Sequence, residues 1–392
     1  MRVRDVCAPR ERMNEGDDGL KGWPVLGIAI VQIILLLAHW FLYSTWVAFG
    51  WPMGHEALAV LRGTLLALSF LFVVAALLGF RFNNFLVSRL ALVSSVWLGL
   101  LNFLFFGAWV AWGVDLVLRF VLPGNAHLAV RPWLATTLVA AAVMASIYGV
   151  ANARILRLRH HTIKLDRLPE QWRGRRALVF SDVHLGHINR ERFAGRVAKI
   201  ARTLNPDVIF VPGDLFDGVN VDPKKIAAPL LALTPPLGVY FADGNHEEFG
   251  DAARYLDGLR RGGWHVLDNK CVEVDGLRIV GVSYPISTHP MALRQFLQGL
   301  HLSEGGASIL LQHVPNRLPL VEQAGVTLML CGHTHSGQVF PFTWITRRAF
   351  GKFTYGLQEF GALKVLTSSG IGTWGPPMRV ATTPEAVLLT FE

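Results

Sequence analysis

Cysteine is scarce in this chain. Its 392 residues include only Cys7, Cys271 and Cys331, an odd number at wide spacing. This pattern excludes a disulfide framework and is typical of a protein in a reducing compartment. None of the three has a partner at metal-ligand spacing, so we expect Cys331, which precedes a histidine motif, to be a small apolar filler at a strand end.

Charge is absent from four long segments, at 23–54, 63–80, 90–114 and 132–153. Each is about as long as the ~20 apolar residues that cross a ~30 Å hydrocarbon core. A cleaved signal peptide is the alternative for the first segment, but its apolar core would be only ~7–15 residues long and three further segments follow. A buried soluble core does not explain four such runs. We predict a basic tail at 1–22 and an all-α domain of four transmembrane helices at 23–153.

Polar residues inside these segments are few. Gln32, His39 and Asn102 show no spacing that indicates a transport path, although intramembrane polar groups are functional candidates in general. Asp115 and Arg119 lie one helical turn apart near the end of the third span, and we expect them to pair. Anchoring is therefore the simpler role for the spans.

The distribution of Lys and Arg near the span ends predicts the orientation. The turn 51–55 has no Lys or Arg. The loop between spans three and four has two, which weakens the difference in basic charge between the two sides of the membrane without reversing it. The other flanks are basic: Arg2, Arg4, Arg10, Arg12, Lys21, Arg81, Arg89, Arg154, Arg157, Arg159 and Lys164. We expect a multi-pass protein of the inner (cytoplasmic) membrane with both termini in the cytoplasm.

The net charge of +9 suits nucleic acid or an anionic membrane surface. Because the basic cluster at 154–176 follows the last span directly, lipid headgroups explain it more simply. We therefore expect membrane lipids and no nucleic acid as partners, and the oligomeric state stays open.

From residue 176 onward, short apolar runs alternate with turn residues, as in an α/β domain. We predict a basic juxtamembrane linker at 154–175, a domain at 176–392 and an amphipathic helix at 190–204. Strands are predicted at 177–181, 207–212, 237–242, 278–282, 308–311, 327–331, 364–367 and 386–391. No repeat or low-complexity segment competes with this interpretation.

Five short motifs follow five of these strands. They are Ser181-Asp182-Val183-His184, Gly213-Asp214-Leu215-Phe216-Asp217, Gly244-Asn245-His246-Glu247, Gln312-His313 and Gly332-His333-Thr334-His335. Ligands in open α/β sheets bind outside the carboxyl ends of the strands, so these motifs should converge. Carboxylates and imidazoles bind divalent metals, and a bridging carboxylate can hold two ions. Singly, each motif could be a cap, a turn or, for His313, an ordinary strand-end histidine; the ordered set favours a two-metal site.

The chain resembles the calcineurin-like metallophosphoesterases, whose pattern is D-x-H, G-D-x-x-D, G-N-H-E/D, a lone H and G-H-x-H. The segments 332–339 and 369–372, with Arg379 and 384–385, resemble the YkuE-type branch, which is often membrane-associated. The resemblance covers 176–392. It implies an α/β fold, the calcineurin-like α/β/β/α sandwich of two packed sheets flanked by helices, preceded here by the four-span helical domain.

The resemblance also implies roles for individual residues. Two divalent ions are expected, Mn²⁺ first and Fe or Zn²⁺ as alternatives, with a metal-activated hydroxide attacking phosphorus. Asp182, His184 and His335 would hold one ion, Asn245, His313 and His333 the other, and Asp214 would bridge them. His246 would protonate the leaving oxygen or stabilise its charge, and Asp217 would orient a ligand histidine. We expect Glu247 and Glu248 to face solvent and Asp243 to be a turn residue.

The segment 340–360 is the candidate substrate-binding segment. It interleaves aromatic residues with cations directly after the last motif. Trp344, Arg347, Arg348 and Lys352 are the candidate substrate-binding residues, because aromatic rings beside cations suit a membrane interface; a packed loop with solvated charges is the equal alternative. We hypothesise hydrolysis of a phosphodiester or pyrophosphate bond in a lipid-linked substrate, for which UDP-2,3-diacylglucosamine, hydrolysed by some YkuE-like relatives, is a specific guess. The alternatives are a phosphodiesterase for a soluble nucleotide and a metal-binding scaffold without turnover.

Overall fold

The structure is a computed structural model that describes residues 3–5 and 23–392. Apart from strand β1 (Val3–Asp5), the basic tail predicted at 1–22, including Cys7, lies outside these residues. The described chain divides into a helical unit within residues 23–151 and an α/β unit comprising Asn152–Trp374 and Arg379–Glu392.

The helical unit contains α1 (Trp23–Phe49), α2 (His55–Arg81), α3 (Phe85–Val121) and α4 (Ala126–Ala153). All four are long and apolar enough to cross a membrane, which confirms the predicted four helices. Many of their large apolar side chains are exposed, as on helices that face lipid.

Polar side chains join these helices. Gln32 of α1 donates to the carbonyl of Ser69 in α2 at 3.1 Å, and Trp97 of α3 lies 3.0 Å from His39 Nε2 of α1. Two of the rare polar residues in the spans therefore make contacts between helices, which is consistent with an anchor.

The predicted pair of Asp115 and Arg119 is confirmed, with Arg119 Nε 2.9 Å from Asp115 Oδ2. Arg131, at the start of α4, adds two hydrogen bonds to the same carboxylate at 2.7 and 2.8 Å. This fork geometry suits a guanidinium and a carboxylate. It links α3 to α4, and the sequence did not predict it.

The α/β unit is built on two sheets. The first sheet has the strand order β1-β7-β8-β9-β10-β12-β11. Within it, β8, β9, β10 and β12 run parallel to one another. Its further strands are β7 (Lys270–Val274), β8 (Leu277–Gly281), β9 (Ser308–Leu311), β10 (Leu328–Cys331), β11 (Gly356–Phe360) and β12 (Leu363–Thr367).

The second sheet has the order β2-β13-β3-β4-β5-β6. Its strands β3 to β6 run parallel, and β13 is antiparallel to β3. The strands are β2 (Arg157–Ile163), β3 (Arg176–Val179), β4 (Val208–Pro212), β5 (Val239–Ala242), β6 (His265–Val266) and β13 (Glu385–Phe391). All eight predicted strands are present, with bounds that differ by at most two residues.

A shared apolar core lies between the two sheets and includes Phe210 and Tyr240 from one sheet and Leu330 from the other. Helices cover the outer faces, and the unit also contains the short helices α6 (Pro223–Ile226), α7 (Ala228–Leu231), α8 (Asn245–Phe249) and α10 (Tyr284–Thr288). The second sheet packs on α5 (Glu191–Leu204) and α9 (Ala252–Arg261), and the first on α11 (Pro290–Gln298) and α12 (Leu318–Gln323). This arrangement confirms the predicted calcineurin-like α/β/β/α sandwich.

The segment predicted as a linker at 154–175 is largely integrated in this fold. β2 pairs with β13 along seven residues, from Arg157 opposite Glu385 to Ile163 opposite Phe391. Trp172, further along the segment, is fully buried and donates to the carbonyl of Val274 at 2.8 Å. The basic residues of β2 masked its strand pattern, because an edge strand tolerates charge on its free side.

Candidate metal centre

The five motifs lie where strands of the two sheets end. The first three follow the parallel strands β3, β4 and β5, and the other two follow the parallel strands β9 and β10. Parallel strands direct their carboxyl ends to one edge, so residues far apart in sequence meet there. The ligand atoms of several of these residues lie within 4.8 Å of one another in groups of three.

The first group contains Asp182, His184 and His335. The Nε2 atoms of His184 and His335 are 3.0 Å apart, and His335 Nε2 lies 3.3 Å from Asp182 Oδ1. All three side chains are buried. The structure thus brings together the three residues expected to hold the first metal.

The second group contains Asp214, His313 and His333. His313 Nε2 lies 3.0 Å from Asp214 Oδ2, and Asn245 Oδ1 lies 2.9 Å from His333 Nδ1. Asn245 therefore adds an amide oxygen beside this group, which gives the four residues expected around the second metal.

Asp214 lies between the two groups. Its Oδ2 atom is 3.0 Å from His313 Nε2 of the second group and 3.8 Å from His184 Nε2 of the first. The carboxylate is fully buried. Its position is the one that a bridging ligand needs.

The residues fit a pair of divalent metals, because electron-rich atoms face one another here. The Nδ1 atom of His313 donates to the carbonyl of Pro212 at 2.8 Å, which leaves a lone pair on Nε2 in the neutral ring. That buried Nε2 has no hydrogen-bond partner in the described chain although it faces the Asp214 carboxylate. A proton or a cation must lie between two such atoms, and an N/O ligand set of this kind suits Mn²⁺, Fe or Zn²⁺.

The electrostatics support the same assignment. Burial acts to lower the pKa of His313, but the neighbouring Asp214 raises it to about 10, so a metal would compete with a proton at this position. Burial and the Arg379 guanidinium hold the pKa of His335 well below its usual value. His335 is therefore a neutral imidazole, the protonation state that binds metal.

His246 forms a third such group with His184 and Asp217, and it belongs to neither of the first two. Its backbone N–H donates to Asp214 Oδ1 at 3.0 Å, and its Nδ1 atom lies 3.5 Å from Asp217 Oδ1. The same Asp217 oxygen is 3.3 Å from His184 Nδ1. Asp217 thus faces a metal ligand and the expected leaving-group histidine at once, a position suited to orienting both rings.

The pKa of His246 is lowered to about 4 by burial and by the nearby His184. The ring is therefore neutral at pH 7. A neutral imidazole can donate an N–H to negative charge that develops on a nearby oxygen.

Unusual backbone geometry accompanies the ligands. Asp182, His184, Asp214, His333 and His335 all have positive φ angles, between +47° and +70°. Such angles are uncommon for residues other than glycine and concentrate at functional sites. The surrounding loops hold each ligand in a conformation that an isolated strand end would not favour.

The glycines of the motifs contribute in two ways. Gly213 has a φ of +86°, in the left-handed region that favours glycine, and it turns the chain tightly just before Asp214. Gly244 has an ordinary φ of −117°, but a Cβ there would collide with Asp214, and a Cβ at Gly332 would collide with Asp182 and Ser181. These two positions need glycine because a metal ligand occupies the space of a side chain.

The expectation that Glu247 faces solvent is wrong. Glu247 is fully buried, and its carboxylate accepts hydrogen bonds from the backbone N–H groups of Asp214, Phe216 and Gly244 at 2.8 to 3.0 Å. Three donors from two loops compensate for the cost of burying the carboxylate. The sequence signal for this buried role was the Glu of the G-N-H-E motif.

Asp243 is also more than a turn residue. It is buried, it accepts from the backbone N–H of Tyr284 at 3.3 Å, and burial together with a hydrogen bond to Glu248 raises its pKa well above the usual value. Glu248 is half-buried beside it.

Arg379 is a residue near the site whose role the sequence did not reveal. Its side chain is fully buried. The guanidinium donates to the carbonyls of His335, Gly370 and Gly372 at 2.7 to 3.2 Å. It therefore fastens the loop of a metal ligand to the loop that follows β12.

The candidate substrate-binding residues lie on the surface, outside the clustered ligand atoms. Trp344, Arg347 and Arg348 are exposed on helix α13 (Phe342–Phe350). Lys352 follows in a 3-10 turn and donates to the carbonyl of Glu359 at 2.8 Å. The helix ends beside the metal groups, because the ring of Phe350, its last residue, lies 6.1 Å from the ring of His333.

Comparison with known proteins identifies the family. The model of the calcineurin-like phosphoesterase family matches residues 175–337. A metallophosphoesterase of Aquifex aeolicus is 30% identical over 258 residues, which cover 64% of this chain and 97% of that protein. The YkuE metallophosphoesterase of Bacillus subtilis is 28% identical over 62% of this chain and 90% of its own length.

A relative with membrane segments is also similar. The transmembrane protein with metallophosphoesterase domain of Danio rerio is 32% identical over 268 residues, which cover 63% of this chain and 60% of that protein. The chain therefore belongs to the calcineurin-like metallophosphoesterases, and it is a metal-dependent phosphoester hydrolase with four helices that are long and apolar enough to cross a membrane.

Proposed function

We propose that this hydrolase cleaves a phosphodiester or pyrophosphate bond in a lipid-linked substrate at the cytoplasmic surface of the inner membrane. The observation that carries the proposal is an exposed apolar and basic helix, α13, beside a metal ligand. UDP-2,3-diacylglucosamine is the specific substrate that we would test first.

Helix α13 buries none of its side chains. Phe342, Trp344 and Ile345 are 46%, 67% and 51% exposed, and Arg347 and Arg348 occupy the last turn. A helix with large apolar side chains and cations suits the boundary between headgroups and acyl chains. The same groups would hold the acyl part and a phosphate of a lipid-linked substrate.

The end of helix α13 and the 3-10 turn that follows it (Gly351–Thr354) both contact the last motif. The hydroxyl of Thr334, between the two histidines of the last motif, donates to the carbonyl of Thr354 at 2.7 Å. Phe350 packs edge-on against His333. A lipid bound along α13 would therefore place its phosphate groups near the ligands.

The chemistry follows from the side chains of the centre. Asp182, His184 and His335 would hold one ion, Asn245, His313 and His333 the second, and Asp214 both; we expect Mn²⁺ before Fe or Zn²⁺. When bound, the ions supply positive charge and an activated water for attack on phosphorus. His246 would donate an N–H to the leaving oxygen, and Asp217 would keep its ring in place.

The charge distribution supports a cytoplasmic orientation. Arg119 and Arg131 are the two cations that weaken the difference in basic charge between the two sides of the membrane. Both are hydrogen-bonded to the Asp115 carboxylate. Cysteines introduced singly at Gly54 and at Asp257 would test the orientation with a membrane-impermeant maleimide. We expect labelling at 54 in intact cells and at 257 only after lysis.

The substrate proposal is tested with the full-length protein in mixed micelles. Turnover of UDP-2,3-diacylglucosamine is compared with that of the water-soluble bis(p-nitrophenyl) phosphate for the wild type and a Trp344→Ala/Arg347→Ala variant. Loss of one interfacial aromatic and one cation should slow the lipid substrate roughly tenfold or more. Turnover of the soluble ester should stay unchanged.

A matched control is available on helix α11, where Met291 and Arg294 are exposed. Met291→Ala/Arg294→Ala removes a similar apolar side chain and a cation, and it should leave both substrates unaffected. Equal losses for the two substrates, or no loss in the α13 variant, would contradict the proposal and favour a soluble nucleotide substrate. Metal binding without turnover of any ester would favour the scaffold.

A further inference from the structure

Two exposed aromatic rings flank His246. The ring of Phe249 lies 5.0 Å from the His246 ring at 64°, and the ring of Trp374 lies 5.5 Å from it at 68°. His246 itself is buried, whereas Phe249 and Trp374 are 59% and 53% exposed. Both rings thus present open apolar surface next to His246.

Trp374 is held in place by its backbone. The side-chain amide of Gln338 donates to the carbonyl of Trp374 at 2.8 Å and accepts from its N–H at 3.0 Å. Gln338 follows the last metal motif by three residues. The indole is therefore positioned relative to the metal centre although its ring is not packed in a core.

Phe249 is placed from the other side. It is the last residue of the short helix α8 (Asn245–Phe249), which begins with a metal ligand and contains His246. A single exposed aromatic residue is ordinary on a protein surface. Two exposed rings that both contact the same buried site histidine define a subsite.

We infer that Phe249 and Trp374 form the leaving-group subsite and select esters whose leaving group has a flat apolar face, such as an aromatic ring. This inference rests on the proposed function, since it assumes that the ester oxygen departs past His246. The oxygen would lie at the imidazole, and the ring attached to it would contact the two aromatic faces. Ring contacts of this kind are worth roughly 0.5–1.5 kcal/mol, which corresponds to a preference of up to about tenfold.

The test uses two methyl phosphodiesters with leaving groups of similar pKa, one chlorophenyl and one hexafluoroisopropyl. Matching the pKa removes the intrinsic difference in bond cleavage, so the ratio of kcat/KM reports contacts with the leaving group. The wild type should prefer the aryl ester several-fold. Trp374→Ala and Phe249→Ala should each bring the ratio towards one, and Trp374→Phe should keep part of it.

Met291→Ala, which removes an exposed apolar side chain on α11, is the control and should leave the ratio unchanged. A wild-type ratio of one, or an unchanged ratio in both alanine variants, would overturn the subsite even if the esters are hydrolysed. Absence of turnover for both esters in the metal-loaded wild type would instead count against the proposed reaction. A selective loss of lipid-substrate turnover in the Trp344→Ala/Arg347→Ala variant tests only the proposal of a lipid-linked substrate.

Discussion

The carboxylate of Glu247 accepts a hydrogen bond from the backbone N–H of Asp214 at 3.0 Å. The two residues follow different strands, β5 and β4, and the acceptor lies in the same motif as Asn245 and His246. One buried side chain therefore fixes the loop of Asp214 relative to the loop of Asn245 and His246.

Replacement of Glu247 by Ala should destabilise the protein and weaken metal binding. It leaves three buried N–H groups without an acceptor, and each costs about 1–3 kcal/mol. Thermal unfolding and metal content measure both effects. The control is Glu170→Gln, whose exposed carboxylate pairs with the exposed Arg173 and which should shift the unfolding temperature little. Unchanged stability in Glu247→Ala would contradict the role.

Replacement of Asp214 by Ala should remove both metals and all turnover, because its carboxylate lies between the two groups. By contrast, Asp182→Ala should lose mainly the first ion and His313→Ala mainly the second. Elemental analysis of the purified variants measures the stoichiometry. Asp257→Ala, at an exposed residue of α9, should keep both ions. Two ions retained in Asp214→Ala would show that it does not bridge.

Replacement of His246 by Gln should slow hydrolysis while the metal content stays normal. The loss should be largest for alkyl leaving groups, because nitrophenolate needs little stabilisation, and about 10²–10⁴-fold is expected for such a role. Asp217→Asn should show a smaller loss with the same trend. Rates across esters of different leaving-group pKa measure this, and equal losses for all esters would exclude a leaving-group role.

Replacement of Arg379 by Ala should lower stability and reduce occupancy of the first metal more than that of the second. The guanidinium bonds the His335 carbonyl and two glycine carbonyls in a fully buried position, and loss of such bonds costs roughly 3 kcal/mol. Metal titration and thermal unfolding measure the two effects. Arg261→Ala, at an exposed position of α9, is the control; equal loss of both metals would show a general folding role.

Replacement of Asp115 by Ala should destabilise the helical unit in detergent. It leaves the half-buried Arg131 without its carboxylate, and breaking a buried pair costs about 3–5 kcal/mol. Tryptophan fluorescence during heating measures the transition. Glu56→Ala, at an exposed position of α2, should change it little, and an unchanged transition in Asp115→Ala would mean that the pair is dispensable.

The strands and spans were predictable because their signals are local. Absence of charge over about 20 residues identifies a span wherever the segment lies, and an apolar run ended by turn residues identifies a buried strand such as β9. β2 was not predicted, because the feature that makes it a strand is not local. Its position at a sheet edge, where Arg157 and Arg159 are tolerated, is a property of the assembled sheet.

The sequence by itself determined the four apolar helices, eight of the strands and the five motifs that hold the candidate ligands. Only the tertiary structure decided which other side chains contact the loops that carry these motifs. Glu247 reaches a backbone 33 residues away, Arg379 reaches one 44 residues away, and Trp374 meets His246 from a distant loop. Such contacts depend on how the strands pack, and single charged or aromatic residues have no local pattern that distinguishes a buried partner from an exposed one.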